Sequence, residues 1–150
     1  MSYEMIFGAL NLSILPAWLL LIFLPSAKIT EALVHSFVYP ACLGGFYLIT
    51  FTLVFVFGVG AVEGHFTTLP GIMDVFSHPL GIFIGWSHYL VFDLFVGAWI
   101  ARDGRHREIS HALLIPCLLL TCLLGPVGLL AYCALRLVSG TGYQLNERLE

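Results

Sequence analysis

His88 and Asp93 stand five residues apart in a stretch, residues 80–100, that is otherwise almost wholly apolar. An acid and a base are what proton transfer requires, and burial prepares both. It keeps a carboxyl protonated and an imidazole neutral near pH 7. Asp93 lies seven residues from the end of the stretch, about 10 Å inside at 1.5 Å per residue. An Asp near the centre of a membrane helix costs about 2.5–3.5 kcal/mol, so it should face other helices and be paired or protonated. Helical spacing puts Trp86, Tyr89 and Gly97 on its face. A rotation of about 140° sets His88 on a different stripe with Gly81, Gly85, Phe92 and Trp99. The two cannot meet directly, so a single site using both needs a ligand or another helix between them. Each also has a structural alternative. Asp93 can bond Tyr89 or a carbonyl liberated by Pro116, such as that of Ala112, and His88 can be a neutral imidazole bonded to a neighbouring helix.

The elements that must position these groups follow from composition. The 150 residues are 59% hydrophobic and 10% charged, with a mean hydropathy of +0.96. Such a surface suits lipid, and the expected fold class is an all-α, four-helix integral membrane bundle. Apolar runs long enough to cross a hydrocarbon core of about 30 Å cover residues 5–24, 37–62, 80–100 and 111–138. Pro116 and Pro126 should kink the last of these. Residues 63–79 carry Glu63, His65, Asp74 and His78 among apolar side chains and read as a loop with a short interfacial helix. Residues 139–150 read as a frayed polar tail. The whole is one transmembrane domain, 1–150.

Few other residues invite chemistry. With six Lys and Arg against nine Asp and Glu the net charge is −3, so no basic field exists for nucleic acid. Cys42, Cys117, Cys122 and Cys133 fall within the runs without a CxxC pair and read as packing residues. The acidic and imidazole groups of the 63–79 loop lack fixed metal-ligand spacing, so no metal is expected. A bis-histidine haem on His88 and His111 is poorly levelled, one near mid-depth and the other at the edge. His111, at that edge, reads more readily as solvated. Asn11 reads as a cross-helix hydrogen bonder. The many mid-span rings, Phe46, Tyr47, Phe51, Phe55, Phe83 and Trp86 among them, are either lipid-facing or a wall for a flat conjugated ligand. Gly81-x-x-x-Gly85 permits close helix approach.

Four crossings would put both termini on one side. The positive-inside rule then sets Lys28 and the arginines of 102–107 in the cytoplasm or a stromal equivalent, opposite Arg136 and Arg148. Met1 lies four residues before the first run, leaving no room for a transit peptide, so the expectation is a bacterial inner-membrane or thylakoid protein, or a trimmed plastid one.

The sequence also carries a resemblance. Phe76-Ser77-His78-Pro79, Gly85-Trp86-Ser87-His88-Tyr89-Leu90-Val91-Phe92-Asp93-Leu94-Phe95-Val96-Gly97, Ala101-Arg102-Asp103, His111, Pro116-Cys117-Leu118-Leu119-Leu120-Thr121 and Gly125-Pro126-Val127-Gly128-Leu129 together resemble the ABA4-like membrane proteins. The resemblance implies a four-helix membrane protein of carotenoid metabolism, linked to forming neoxanthin from violaxanthin. The implied reaction is a cofactor-independent isomerisation. A proton reaches the epoxide oxygen as its C–O bond breaks, another leaves a polyene carbon, and an allenic alcohol of equal mass results. Asp93 and His88 would be acid and base in either assignment, with Tyr89 relaying or orienting. Trp86, Phe92, Gly85, Gly97, Trp99, His111 and Pro116 would line the substrate. Expected partners are a carotenoid-like lipophilic small molecule, membrane lipids, and either a second copy or a partner membrane enzyme. The rival expectation is a non-enzymatic pigment-binding or assembly subunit.

Overall fold

The computed structural model describes residues 2–140 and 142–144, which are all-α with no strand among them. Met1 and residues 145–150, including Arg148 and most of the expected tail, lie outside the described residues. Seven α-helices replace the four expected: α1 Tyr3–Phe23, α2 Lys28–Leu33, α3 Val38–Phe55, α4 Leu69–Ser77, α5 Pro79–His106, α6 His111–Leu124 and α7 Pro126–Val138. By length and composition, α1, the stretch Lys28–Phe55 and α5 can each cross a membrane, whereas α6 and α7 are apolar but shorter.

The chain divides into two compact units, one of Met1–Ile14 with Phe37–Val91 and one of Leu15–Ser36 with Phe92–Glu150. The divisions fall inside α1 and α5. In the first unit α3 stops at Phe55, seven residues short of the expected end. Gly58 is left-handed at φ +66°, a conformation that ends a helix and leads into the 3-10 turn Val59–Ala61. Within residues 63–79 the one α-helix among the described residues is α4. Thr68 caps it, its hydroxyl accepting from the Gly71 amide at 3.3 Å, with Pro70 in the first turn. α4 packs against α5 at Gly81 and Gly85, where a Cβ would strike the Val75 carbonyl and the Phe76 ring.

In the second unit the expected single span 111–138 is two helices. Gly125 adopts φ +42° and ψ −91°, outside any helical region, and Pro126 starts α7 at a position that needs no amide donor. The turn is sharp enough that α7 packs on α6, with Gly128 close against Thr121. At its far end α7 returns Tyr132 and Arg136 to Asp103 of α5, three residues before that helix ends. α6 and α7 therefore run out and back, as a hairpin. A run of apolar residues does not disclose a turn, so hydropathy alone read the segment as one crossing.

Candidate functional site

α5 carries most of the candidate residues, because its 28 residues place one every 100° around a single rod. The first unit holds Gly85, Trp86, His88 and Tyr89; the second holds Phe92, Asp93, Gly97 and Trp99. Each group lies in a distinct environment.

In the first unit rings dominate. The exposed His88 meets Tyr47 of α3 with ring centroids 6.0 Å apart. Tyr47 stacks on Phe51 at 5.9 Å, Phe51 meets Phe55 at 4.8 Å, and both reach Phe66 of the following loop at 6.4 and 5.5 Å. The origin is a repeat on α3. Residues 47, 51 and 55 are four apart and share one helical face. On another face of α5, Trp86 stacks on Tyr89 at 5.2 Å and meets Phe7 of α1 at 5.4 Å. The Trp86 indole N–H donates to Asn11 Oδ1 at 2.9 Å, which is the cross-helix bond expected of Asn11. The structure thus brings Trp86 and Tyr89 together, and sets His88 at the end of a ladder of four rings.

The loop histidines serve the backbone. His78 Nδ1 accepts from the Leu80 amide at 3.1 Å and so caps the start of α5. His65 Nδ1 pairs with the Thr67 hydroxyl at 2.8 Å. Among the described residues no three His, Cys, Asp or Glu side chains are placed to hold a metal ion.

In the second unit Asp93 lies against the α6–α7 turn. A Cβ added to Gly125 would sit 2.5 Å from Asp93 Oδ1 and 3.0 Å from Oδ2. Its carboxyl is therefore at the first turn of α7, where a helix dipole favours negative charge. Gly97 admits the Trp18 ring, 2.6 Å from where its Cβ would be. Trp99, in the second unit, packs edge-on to Tyr132 at 5.3 Å. His111 Nε2 donates to the Ile22 carbonyl at 2.8 Å, closing an orphan acceptor at the end of α1, as Thr30 Oγ1 does for Leu24 at 2.5 Å. His111 is thus tied to backbone rather than solvated. Phe92 and Pro116 are exposed.

One cluster escaped the sequence reading. Asp103, Tyr132 and Arg136 are each at most 2% exposed. Asp103 Oδ2 accepts from the Tyr132 hydroxyl at 2.5 Å and from Arg107 Nε at 2.8 Å, with Arg136 Nη1 at 3.4 Å. Arg102, by contrast, reaches His35 at 3.3 Å. The signal was available. Asp103 near the end of α5 and Arg107 just beyond it are four apart, as are Tyr132 and Arg136 on α7, and such spacing brings each pair to one side.

With this geometry in place, comparison with known proteins is decisive for kinship. The family described as ABA DEFICIENT 4-like matches residues 5–132. The chain belongs to the ABA4-like family. Among curated proteins it is similar to Protein ABA DEFICIENT 4, chloroplastic, of Arabidopsis thaliana, at 26% identity over 146 residues. That match covers 93% of this chain, and the chain spans 64% of the relative's length. No solved structure matches it. The family assignment agrees with the resemblance carried by the residues around His88 and Asp93.

Proposed function

We propose that this ABA4-like chain is a multi-pass membrane protein of carotenoid metabolism, in a bacterial inner, thylakoid or plastid membrane, and that it isomerises an epoxy-carotenoid or similar polyene without a cofactor. The observation that carries this reading is the ladder Tyr47, Phe51, Phe55 and Phe66 ending at the exposed imidazole of His88. A rigid polyene lying against flat rings loses little conformational freedom on binding and gains contact along its length. His88 would take the proton from the polyene carbon. A carboxylic acid would protonate the epoxide oxygen, and Asp93 is the candidate for it. Tyr89, stacked on Trp86, would orient the ligand. Proton gain at oxygen and loss at carbon leave the mass unchanged.

The membrane arrangement is part of the proposal. α6 and α7, 14 and 13 residues long, extend about 20 Å each and fall short of a core of about 30 Å. Because α7 returns to α5 at Asp103, the pair enters and leaves by the same side. Three crossings and a re-entrant hairpin then put Lys28, Arg102, Arg105, Arg107 and Arg136 on one side, a stronger positive-inside bias than four crossings gave.

The second reading, a non-enzymatic pigment-binding or assembly subunit acting with a second copy or a partner membrane enzyme, is favoured by one observation: Asp93 is packed into the Gly125 turn, as a structural carboxylate would be. Expression in a carotenoid-producing bacterium separates the two. An enzyme yields a new pigment of equal mass on chromatography when the chain is present. A pigment that co-purifies unaltered supports the binding subunit instead.

A further inference from the structure

The two guanidiniums beside Asp103 converge on a second oxygen as well. Arg136 Nη2 donates to the Gln144 carbonyl, and Arg107 Nη2 approaches the same oxygen at 3.5 Å. A cavity of about 70 Å³ opens there, lined by Cys133, Arg136, Leu137, Gly142 and Tyr143. Arg136 is held for this task from three directions: by Asp103, by the Tyr132 ring, whose centroid lies 6.0 Å from its guanidinium carbon, and by burial to 2% exposure. Two forked donors aimed at one oxygen are the arrangement that guanidiniums make around a phosphate or carboxylate, where charge-assisted bonds are shorter and stronger than neutral ones. A backbone carbonyl carries only a partial charge. It is a weak occupant for such a clamp, and it belongs to a segment of chain beyond the last helix.

We propose that Arg107 and Arg136 form a binding site for a phosphate group, which the Gln144 carbonyl fills in its absence. The cavity is of the order of one phosphate in size, and its walls of Leu137, Cys133 and Tyr143 are apolar on the side away from the guanidiniums. The site sits at the charged ends of α5 and α7, with Arg102 and Arg105 in the last turns of α5 and Arg107 just beyond its end. Basic pockets at such helix ends bind anionic headgroups. The shared chemistry is a phosphate oxyanion, supplied by a phospholipid or by free phosphate. This site is independent of the polyene reading and uses none of its residues.

The test uses the whole purified chain in detergent, with unfolding followed by tryptophan fluorescence. One arm titrates inorganic phosphate against chloride at constant ionic strength. The other compares micelles doped with phosphatidylglycerol against phosphatidylcholine. A saturable rise in unfolding temperature is expected. A response to phosphatidylglycerol alone assigns a lipid headgroup, and a response to inorganic phosphate assigns a soluble anion; either supports the site. Arg136→Gln should raise the half-saturating concentration roughly tenfold, the loss expected for one charge-assisted hydrogen bond. Where that variant does not fold, Arg107→Gln, which leaves Arg136 and the cavity walls in place, carries the test and should raise the half-saturating concentration as well. No saturable response to either probe, or a half-saturation that moves in neither variant, overturns the proposal.

Discussion

The two units of the chain spend their polar atoms differently. The first, Met1–Ile14 with Phe37–Val91, contains no lysine or arginine and arranges its rings in ladders, leaving His88 exposed beside Tyr47. The second, Leu15–Ser36 with Phe92–Glu150, holds every lysine and arginine of the sequence. Several of its ionisable groups lie against backbone or one another. Asp103 gathers Tyr132, Arg107 and Arg136, His111 closes the Ile22 carbonyl, and Asp93 fits against the Gly125 turn. The difference teaches where to look for chemistry in a protein with few charges. A polar group built into helix ends and turns is costly to disturb, whereas an exposed one beside a ring-lined face can be reached by a guest.

This contrast predicts that damage to the second unit appears first as lost stability. Asp103→Ala or Arg136→Ala removes one side of a buried ion pair and strands the other, so unfolding in detergent should become easier by about 3–5 kcal/mol. A change under about 1 kcal/mol would mean that the cluster is hydrated and the contrast overdrawn. Gly125→Ala comes next. It forces a side chain onto φ +42° and drives a Cβ to 2.5 Å from Asp93 Oδ1, a combination expected to cost about 1–3 kcal/mol. Adding Asp93→Ala in the same chain should recover part of that loss, and strict additivity of the two changes would show that the contact does not couple them. In the first unit, Trp86→Phe keeps the ring and loses the bond to Asn11, for about 0.5–1.5 kcal/mol by the same denaturation measurement. The smallest effect on stability is expected at His88. His88→Gln changes an exposed group and should leave the unfolding midpoint within about 0.5 kcal/mol of the parent.

Much of this architecture was legible in the sequence and some was not, for physical reasons. α1 and α5 follow from apolar runs that match the bilayer thickness, and α4 from its amphipathic pattern. The end of α3 was misplaced because Val59, Ala61 and Val62 are as apolar as a helix interior, and only the left-handed Gly58 marks the stop. The α6–α7 hairpin was hidden for the same reason. Hydropathy is blind to direction, although a Gly-Pro pair, with glycine ending one helix and proline opening the next, is a signal for such a break. At the site, Trp86 with Tyr89 and the Asn11 bond were readable from spacing and residue type. The role of Asp103 was not, because a charge beside three arginines reads as solvated until α7 returns and buries it. His111 was given to solvent, since no sequence pattern pairs it with a carbonyl 89 residues earlier.

The central claim is that the ring ladder holds a polyene and that His88 moves its proton. The direct measurement is to load the purified chain and His88→Gln with an epoxidised carotenoid, and to follow both the bound pigment's absorption spectrum and the products by chromatography. The account predicts that both bind the pigment, that the parent forms an isomer of equal mass, and that the variant forms it at least about a hundredfold more slowly, as loss of a general base requires. Equal turnover by the two chains, or absence of bound pigment in both, would contradict it.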